Sequence, residues 1–289
     1  MKPKQIYGWD GFELTSGDLQ VGLTPSIGGR IMSLIYQGQE LLFVDNNLNN
    51  KTLDVHRWSD LVAAKKAMGF CFWGGDKTWV APQEKWLLGI PPLDLDAGSY
   101  QITWDGNEAV MTSAVCRETG LQIIRRVSLK QGKVNLVEEL YNRTSKPIQW
   151  GLWNVTQVKR PCYFEILSHS GGFRSYHHED STLPVFKGDL SLKQGKLMVE
   201  CVDNHLFKVG GLPSLGELSI YLPFEGKKIC WKKSFSYEPQ VSYAHHSAVE
   251  VFNSPSHAYA EIELHAPFKI LVPGESSHLE QIWEIRRIS

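Results

Sequence analysis

The amino-acid sequence predicts an all-β protein built as a large antiparallel sandwich, and three observations carry that reading. Short runs rich in β-branched and aromatic residues, separated by Gly, Asn, Asp and Pro, recur from one end to the other. No strand-helix alternation is visible, which disfavours a parallel sheet with crossover helices. The runs outnumber the strands of an immunoglobulin domain, and they show no repeat of propeller or solenoid period.

In chain order, residues 12–15 turn at Ser16-Gly17 into 19–23, and Arg30–Tyr36 follows the double glycine Gly28-Gly29. Gly38 turns the chain into 40–43. Residues 100–104 and 109–117 flank Asp105-Gly106-Asn107, and Asp-Gly is a strong hairpin signal. A second unit, Leu121–Lys130 and 133–141 around Gln131-Gly132, comes directly after it. Only residues 53–68 read as a helix, with Asp54 or Ser59 as its cap and Trp58, Leu61, Val62 and Lys65 at helical spacing.

At 289 residues, with no linker or shift of composition, the chain reads as one domain spanning 1–289. Its 42% hydrophobic and 21% charged residues supply a sizeable core. A net charge of -1 leaves no field to recruit nucleic acid or an anionic membrane, so a small neutral ligand fits better. Met1-Lys2-Pro3-Lys4-Gln5 leads into Tyr7 without an apolar signal region, which predicts a cytoplasmic protein. Five scattered cysteines without a CxxC pair fit reduced thiols and offer no zinc site.

The stretch Gly69 to Gln83 concentrates Phe70, Phe72, Trp73 and Trp79 around Gly74-Gly75 and an Asp76-Lys77 pair. Gly74-Gly75 allows positive φ and close backbone approach, and Pro82 ends the extended run. Aromatic faces among a few polar groups suit a sugar, with Asp76, Lys77, Trp79 and Gln83 as candidate contacts. The alternative is a loop whose rings plug a sheet edge. The two readings diverge on Trp79→Ala, which leaves the melting temperature nearly unchanged only if Trp79 serves a ligand.

In 150–158, Trp153, Val155 and Gln157 share one strand face, while Leu152, Asn154, Thr156 and Val158 share the other. Trp153 with Gln157 would stack on and hydrogen-bond a sugar, and Asn154 joins them as a candidate contact. In Tyr259–His265, alternation puts Tyr259, Glu261, Glu263 and His265 on one face and Ala260, Ile262 and Leu264 on the other. Neighbouring carboxylates raise one another's pKa and so poise a base, although a solvated outer face would look the same. His177-His178-Glu179-Asp180 and His245-His246 lack a second ligand at helical spacing, so no metal is expected. The basic points at Arg174 and Lys232-Lys233 read as solvated loop charges.

Gly28-Gly29-Arg30-Ile31-Met32-Ser33-Leu34, the stretch from Gly74 to Gln83, 150–158, Glu261-Ile262-Glu263-Leu264, Leu271-Val272-Pro273-Gly274-Glu275 and Trp283 together resemble the galactose mutarotase-like superfamily, and within it a bacterial branch. The resemblance spans nearly the whole chain in order. It implies a β-supersandwich of two large twisted antiparallel sheets, with a sugar on the concave face. In aldose mutarotases a late-strand Glu takes the proton from the sugar O1 while a His protonates the ring oxygen. The resemblance places Glu263 as that base, with Glu261 the alternate if the register shifts by two. The expected His corresponds to the region of Trp153 and Asn154, neither of which can act as imidazolium does; His265, on the carboxylate face, is the candidate acid. The family's early Arg and second His are unmatched, and Lys77 is the nearest cation. The resemblance thus implies a carbohydrate-binding protein of aldose 1-epimerase type, or else a non-catalytic carbohydrate sensor, or an accessory domain of a polysaccharide lyase or hydrolase. No cofactor is implied; the partner is a small carbohydrate and the assembly a monomer or homodimer.

Overall fold

The computed structural model describes residues 2–57, 59–168, 172–176 and 192–288. Among these, antiparallel strands build two large sheets. The first runs Lys2–Ile6, Trp9–Ser16, Leu19–Thr24, Arg30–Tyr36, Asp76–Ala81, Gly151–Lys159, Tyr259–His265, Val249–Asn253, Phe207–Gly211, Phe173–Tyr176. The second runs Leu192–Lys193, Lys196–Cys201, Cys162–Leu167, Glu217–Phe224, Lys227–Phe235, Ser276–Ile288, Lys133–Asn142, Leu121–Lys130, Glu108–Thr112, Gln101–Asp105. This is the predicted all-β sandwich. Arg30–Tyr36, Leu121–Lys130 and Tyr259–His265 have the bounds that their sequence pattern gives.

Val127, Leu136, Leu279 and Trp231 of the second sheet pack on Leu152, Ile262, Val251 and Val80 of the first in one apolar core. Within that core lies a group of charges. Arg125 pairs with Asp76 and lies 3.4 Å from Glu138, while Lys233 donates to Thr156 at 2.7 Å and lies 3.9 Å from Asp76. Lys233 therefore corrects the loop-charge reading: it is buried on the strand Lys227–Phe235, over the Trp283 ring at 4.8 Å, while Lys232 on the opposite face pairs with Glu217. Burial lowers the Lys233 ammonium to about 8 and raises the Glu138 carboxyl.

The helix is shorter than predicted, Leu61–Met68, because Val55–Arg57 takes a tighter 3-10 turn first. Its cap is Asp60, whose carboxylate accepts the Val62 and Ala63 amides at 2.8 and 3.2 Å, instead of Asp54 or Ser59. Residues 40–43 also depart from the strand reading. Only Gln39–Glu40 pairs as a strand, and the Glu40 carboxylate accepts the amides of Leu34 and Leu42. Among the described residues no helix is long and apolar enough to cross a membrane.

Candidate functional site

The double glycine sets up the site. Gly74 and Gly75 have φ of +102° and +74°, and a Cβ would lie 2.2 Å from the Phe43 carbonyl oxygen at the first and 2.5 Å from that of Ile31 at the second. The chain can then enter the sheet centre as Asp76–Ala81, where both faces are buried. Strand alternation turns Asp76, Thr78 and Val80 toward the second sheet and Lys77, Trp79 and Ala81 toward the opposite, concave face.

Register brings distant residues into rows on that face. Lys77 lies opposite Val155, which faces Glu263, which faces Glu250. Trp79 lies opposite Trp153 and then His265. Gln157 faces Glu261, then Phe252, then Lys208. The rings of Trp79, Trp86 and Trp153 cluster with centroids 5.2 to 5.5 Å apart, and Phe70 packs edge-on against Trp79 at 5.6 Å.

Above these rows opens a cleft of about 190 Å³, walled by Phe70, Phe72, Trp79, Trp153, Phe252, His257 and Tyr259. Its polar lining is Gln83, Lys208, Glu261 and Glu263. Glu263 Oε2 accepts from Trp153 Nε1 at 2.9 Å and Lys208 Nζ at 3.0 Å. Lys208 Nζ also lies 3.2 Å from Glu250 Oε2, the same oxygen that meets His245 Nδ1 at 3.1 Å and His265 Nε2 at 3.0 Å. Glu261 Oε1 accepts from Gln157 Nε2 at 2.8 Å, and Lys77 Nζ lies 3.8 Å from it and 4.4 Å over the Trp79 ring. Lys77 Nζ makes no hydrogen bond.

Burial pushes the Glu263 carboxyl up to about 8; Lys208 works against this, and Glu250 and Glu261 add to it. Burial alone would raise Glu250 too, yet Lys208 and the hydrogen bonds of His245 and His265 hold it well below the usual carboxylate range. Burial brings Lys77 down to about 8 against the pull of Glu261, and it lowers His265 and His257. Glu263 and Glu250, which share Lys208, are thus shifted in opposite directions.

His245, Glu250 and His265 place ligand atoms within 4.8 Å of one another, close enough for a metal ion. Lys208 sets an ammonium 3.2 Å from the shared Glu250 oxygen. His245 reaches this position from a turn, Ala244–His246, in which His245 and His246 both hold positive φ of about 54° and 55°. The motif His177-His178-Glu179-Asp180 lies outside the described residues.

Of the residues singled out in the sequence, Trp79, Gln83, Trp153, Glu261 and Glu263 line the cleft. Lys77, Gln157 and His265 share its face but lie beneath the lining, buried against it. Asp76 and Asn154 depart from the reading: both turn to the other face, where Asn154 Nδ2 donates to Asp76 at 3.0 Å and to Glu138 at 3.1 Å. Trp79 also departs from the ligand-only reading, since it is buried and its Nε1 donates to Asp96 at 2.7 Å. The sequence reading missed Lys208 and Glu250. A carboxylate set between valines in Val249-Glu250-Val251 was the available signal for the second.

No protein-family model and no curated protein sequence matches this chain. Solved structures do match. A galactose mutarotase-like protein from Lactobacillus casei superposes with a TM-score of 0.63 at 9% identity, covering 96% of this chain and 100% of that one. One from Clostridium acetobutylicum gives 0.62 at 12% identity, with 99% and 98% covered. A galactose mutarotase related enzyme from Lactobacillus acidophilus gives 0.58 at 10%, with 96% and 97% covered. Likeness at such identity is likeness of fold, and the fold of this chain is galactose mutarotase-like.

Proposed function

We propose that the protein binds a neutral sugar in the concave cleft and exchanges protons with it at the anomeric centre, as an isomerase of the aldose 1-epimerase kind. One observation carries this reading: the floor of a ring-walled cleft presents two carboxyl groups, Glu261 and Glu263, from successive outward positions of one strand. Rings stack on the C-H faces of a pyranose, and a carboxyl pair can relay protons between O1 and the ring oxygen. A neutral ligand is favoured because Lys77 and Lys208 are already engaged by the carboxylates around them. The fold supports the reading by analogy alone.

A binding or sensing role is the second reading. It draws on Trp153, which fills the region where the mutarotase resemblance places an acidic imidazole and whose indole is tied to Glu263. Proton NMR saturation exchange between anomers, over a panel of aldoses with and without protein, separates the two. Accelerated exchange with one aldose supports the isomerase. Calorimetric binding without exchange supports the sensor, and neither binding nor exchange across the panel removes both.

A further inference from the structure

We infer that Glu263 stands in this site as the proton donor and Glu261 as the acceptor, with Glu250 the positioning residue that keeps Glu263 protonated. The assignment rests on the proton-transfer function proposed for the cleft. It reverses the role that the mutarotase resemblance gives Glu263, and it supplies the acid that no imidazole on the Gly151–Lys159 strand provides.

Glu250, Glu261 and Glu263 share one buried face with two ammonium groups, Lys77 and Lys208, so ionising all three carboxyls would bury one uncompensated negative charge. A proton on one of them removes it. The groups around Glu263 decide which one. Glu250 Oε2 gathers Lys208 Nζ, His245 Nδ1 and His265 Nε2 within 3.2 Å, a donor set that only a carboxylate fully uses. Glu261 takes the Gln157 amide and the nearer share of Lys77. Glu263 keeps only the neutral Trp153 indole and the part of Lys208 that Glu250 does not hold. Of the groups that line the cleft with it, Tyr259 carries no positive charge and His257 brings none at neutral pH because burial lowers it. The raised Glu263 and depressed Glu250 result from the same geometry.

The chemistry balances. Glu261 takes the proton from O1 as the C1–O5 bond breaks; O1 and C1 become the carbonyl, the electron pair of the broken bond stays on O5, and O5 takes the proton from Glu263. After rotation about C1–C2, the reverse transfers close the ring and restore both carboxyls.

The test uses the full chain labelled with carbon-13 at the glutamate carboxyls, titrated without sugar and assigned by Glu250→Gln and Glu263→Gln. A resonance titrating above neutrality in the wild type and absent from Glu263→Gln is the expected result. Glu250→Gln removes a like charge and frees Lys208, so it should lower that midpoint by about one to three pH units. It should also carry down the alkaline limb of anomer exchange by the same amount, which a merely structural role for Glu250 would not do. If Glu250→Gln does not fold, the wild type still decides: a Glu263 midpoint in the ordinary carboxylate range overturns the inference, even if anomers exchange. A high midpoint without exchange on any aldose supports the protonated state and overturns the proton-transfer reading instead.

Discussion

Two clusters of buried charge lie back to back across the first sheet, and they differ in a way that separates scaffold from site. Between the sheets, Arg125 and Lys233 meet Asp76 and Glu138, two cations to two anions. Thr78, Asn154, Thr156 and Gln281 supply further hydrogen bonds. On the concave face, three carboxyls meet two ammonium groups, and Lys77 Nζ, Gln157 Oε1, Glu250 Oε1 and His265 Nδ1 have no hydrogen-bond partner, whereas in the first cluster Arg125 Nε alone lacks one and lies 3.4 Å from Glu138. The same strands, Asp76–Ala81 and Gly151–Lys159, build both clusters. Balance and closure suit a structural role, whereas imbalance beside an open cleft leaves groups able to act on a ligand.

The largest effect should come from the closed cluster. Arg125→Met leaves Asp76 and Glu138 short of a buried cation and is expected to cost about 3–5 kcal/mol of stability by urea denaturation. A loss under about 1 kcal/mol, the level of an exposed pair, would break the contrast between the clusters. Trp79→Ala tests the seam of the two regions, because the indole walls the cleft and also packs on Trp86, Trp153 and Phe70. It should destabilise by about 3–5 kcal/mol, as truncation of buried aromatics does, in contrast to the unchanged melting temperature that a ligand-only role requires.

Glu263→Gln should act in the other direction on stability and strongly on activity. Exchange should fall by about two to four powers of ten while the folded protein is no less stable at pH 8. The folded-state value of Glu263, about 8, lies above its ordinary 4.5, so the native protein keeps a proton that the unfolded chain has released. The stability this carboxyl contributes is present at low pH and shrinks as the pH rises from 4.5 toward 8. Denaturation of wild type and Glu263→Gln over that range should therefore diverge in favour of the variant with increasing pH; parallel curves would place the shared proton elsewhere. The smallest effect belongs to the cleft rim. Phe72 is only partly buried, stacked on Phe70 at 4.3 Å, and Phe72→Ala should weaken sugar binding by roughly 1 kcal/mol in calorimetry with little change in melting temperature.

Local pattern in the sequence determined a good deal. Alternation alone separated Glu261, Glu263 and His265 from Ala260, Ile262 and Leu264, and the structure sends the second set into the inter-sheet core. Gly74-Gly75 announced a close backbone approach, and Asp-Gly announced the hairpin around Gly106. These signals are local because side-chain period and positive φ are properties of a few consecutive residues. Three outcomes were decided only by tertiary structure. Alternation separates Asp76 from Lys77, yet only the packing of the second sheet decides that Asp76 enters the closed cluster and Lys77 the open one. Lys233 looked solvated because nothing in its own segment reveals that Thr156 and Asp76 lie across the sandwich. Lys208 and Glu250 reach Glu263 only through pairing of the strands Phe207–Gly211, Val249–Asn253 and Tyr259–His265, and His245 reaches Glu250 through a turn with left-handed backbone. Register and sheet order join residues far apart in the chain, and the charge that each residue then meets depends on that company more than on its own segment.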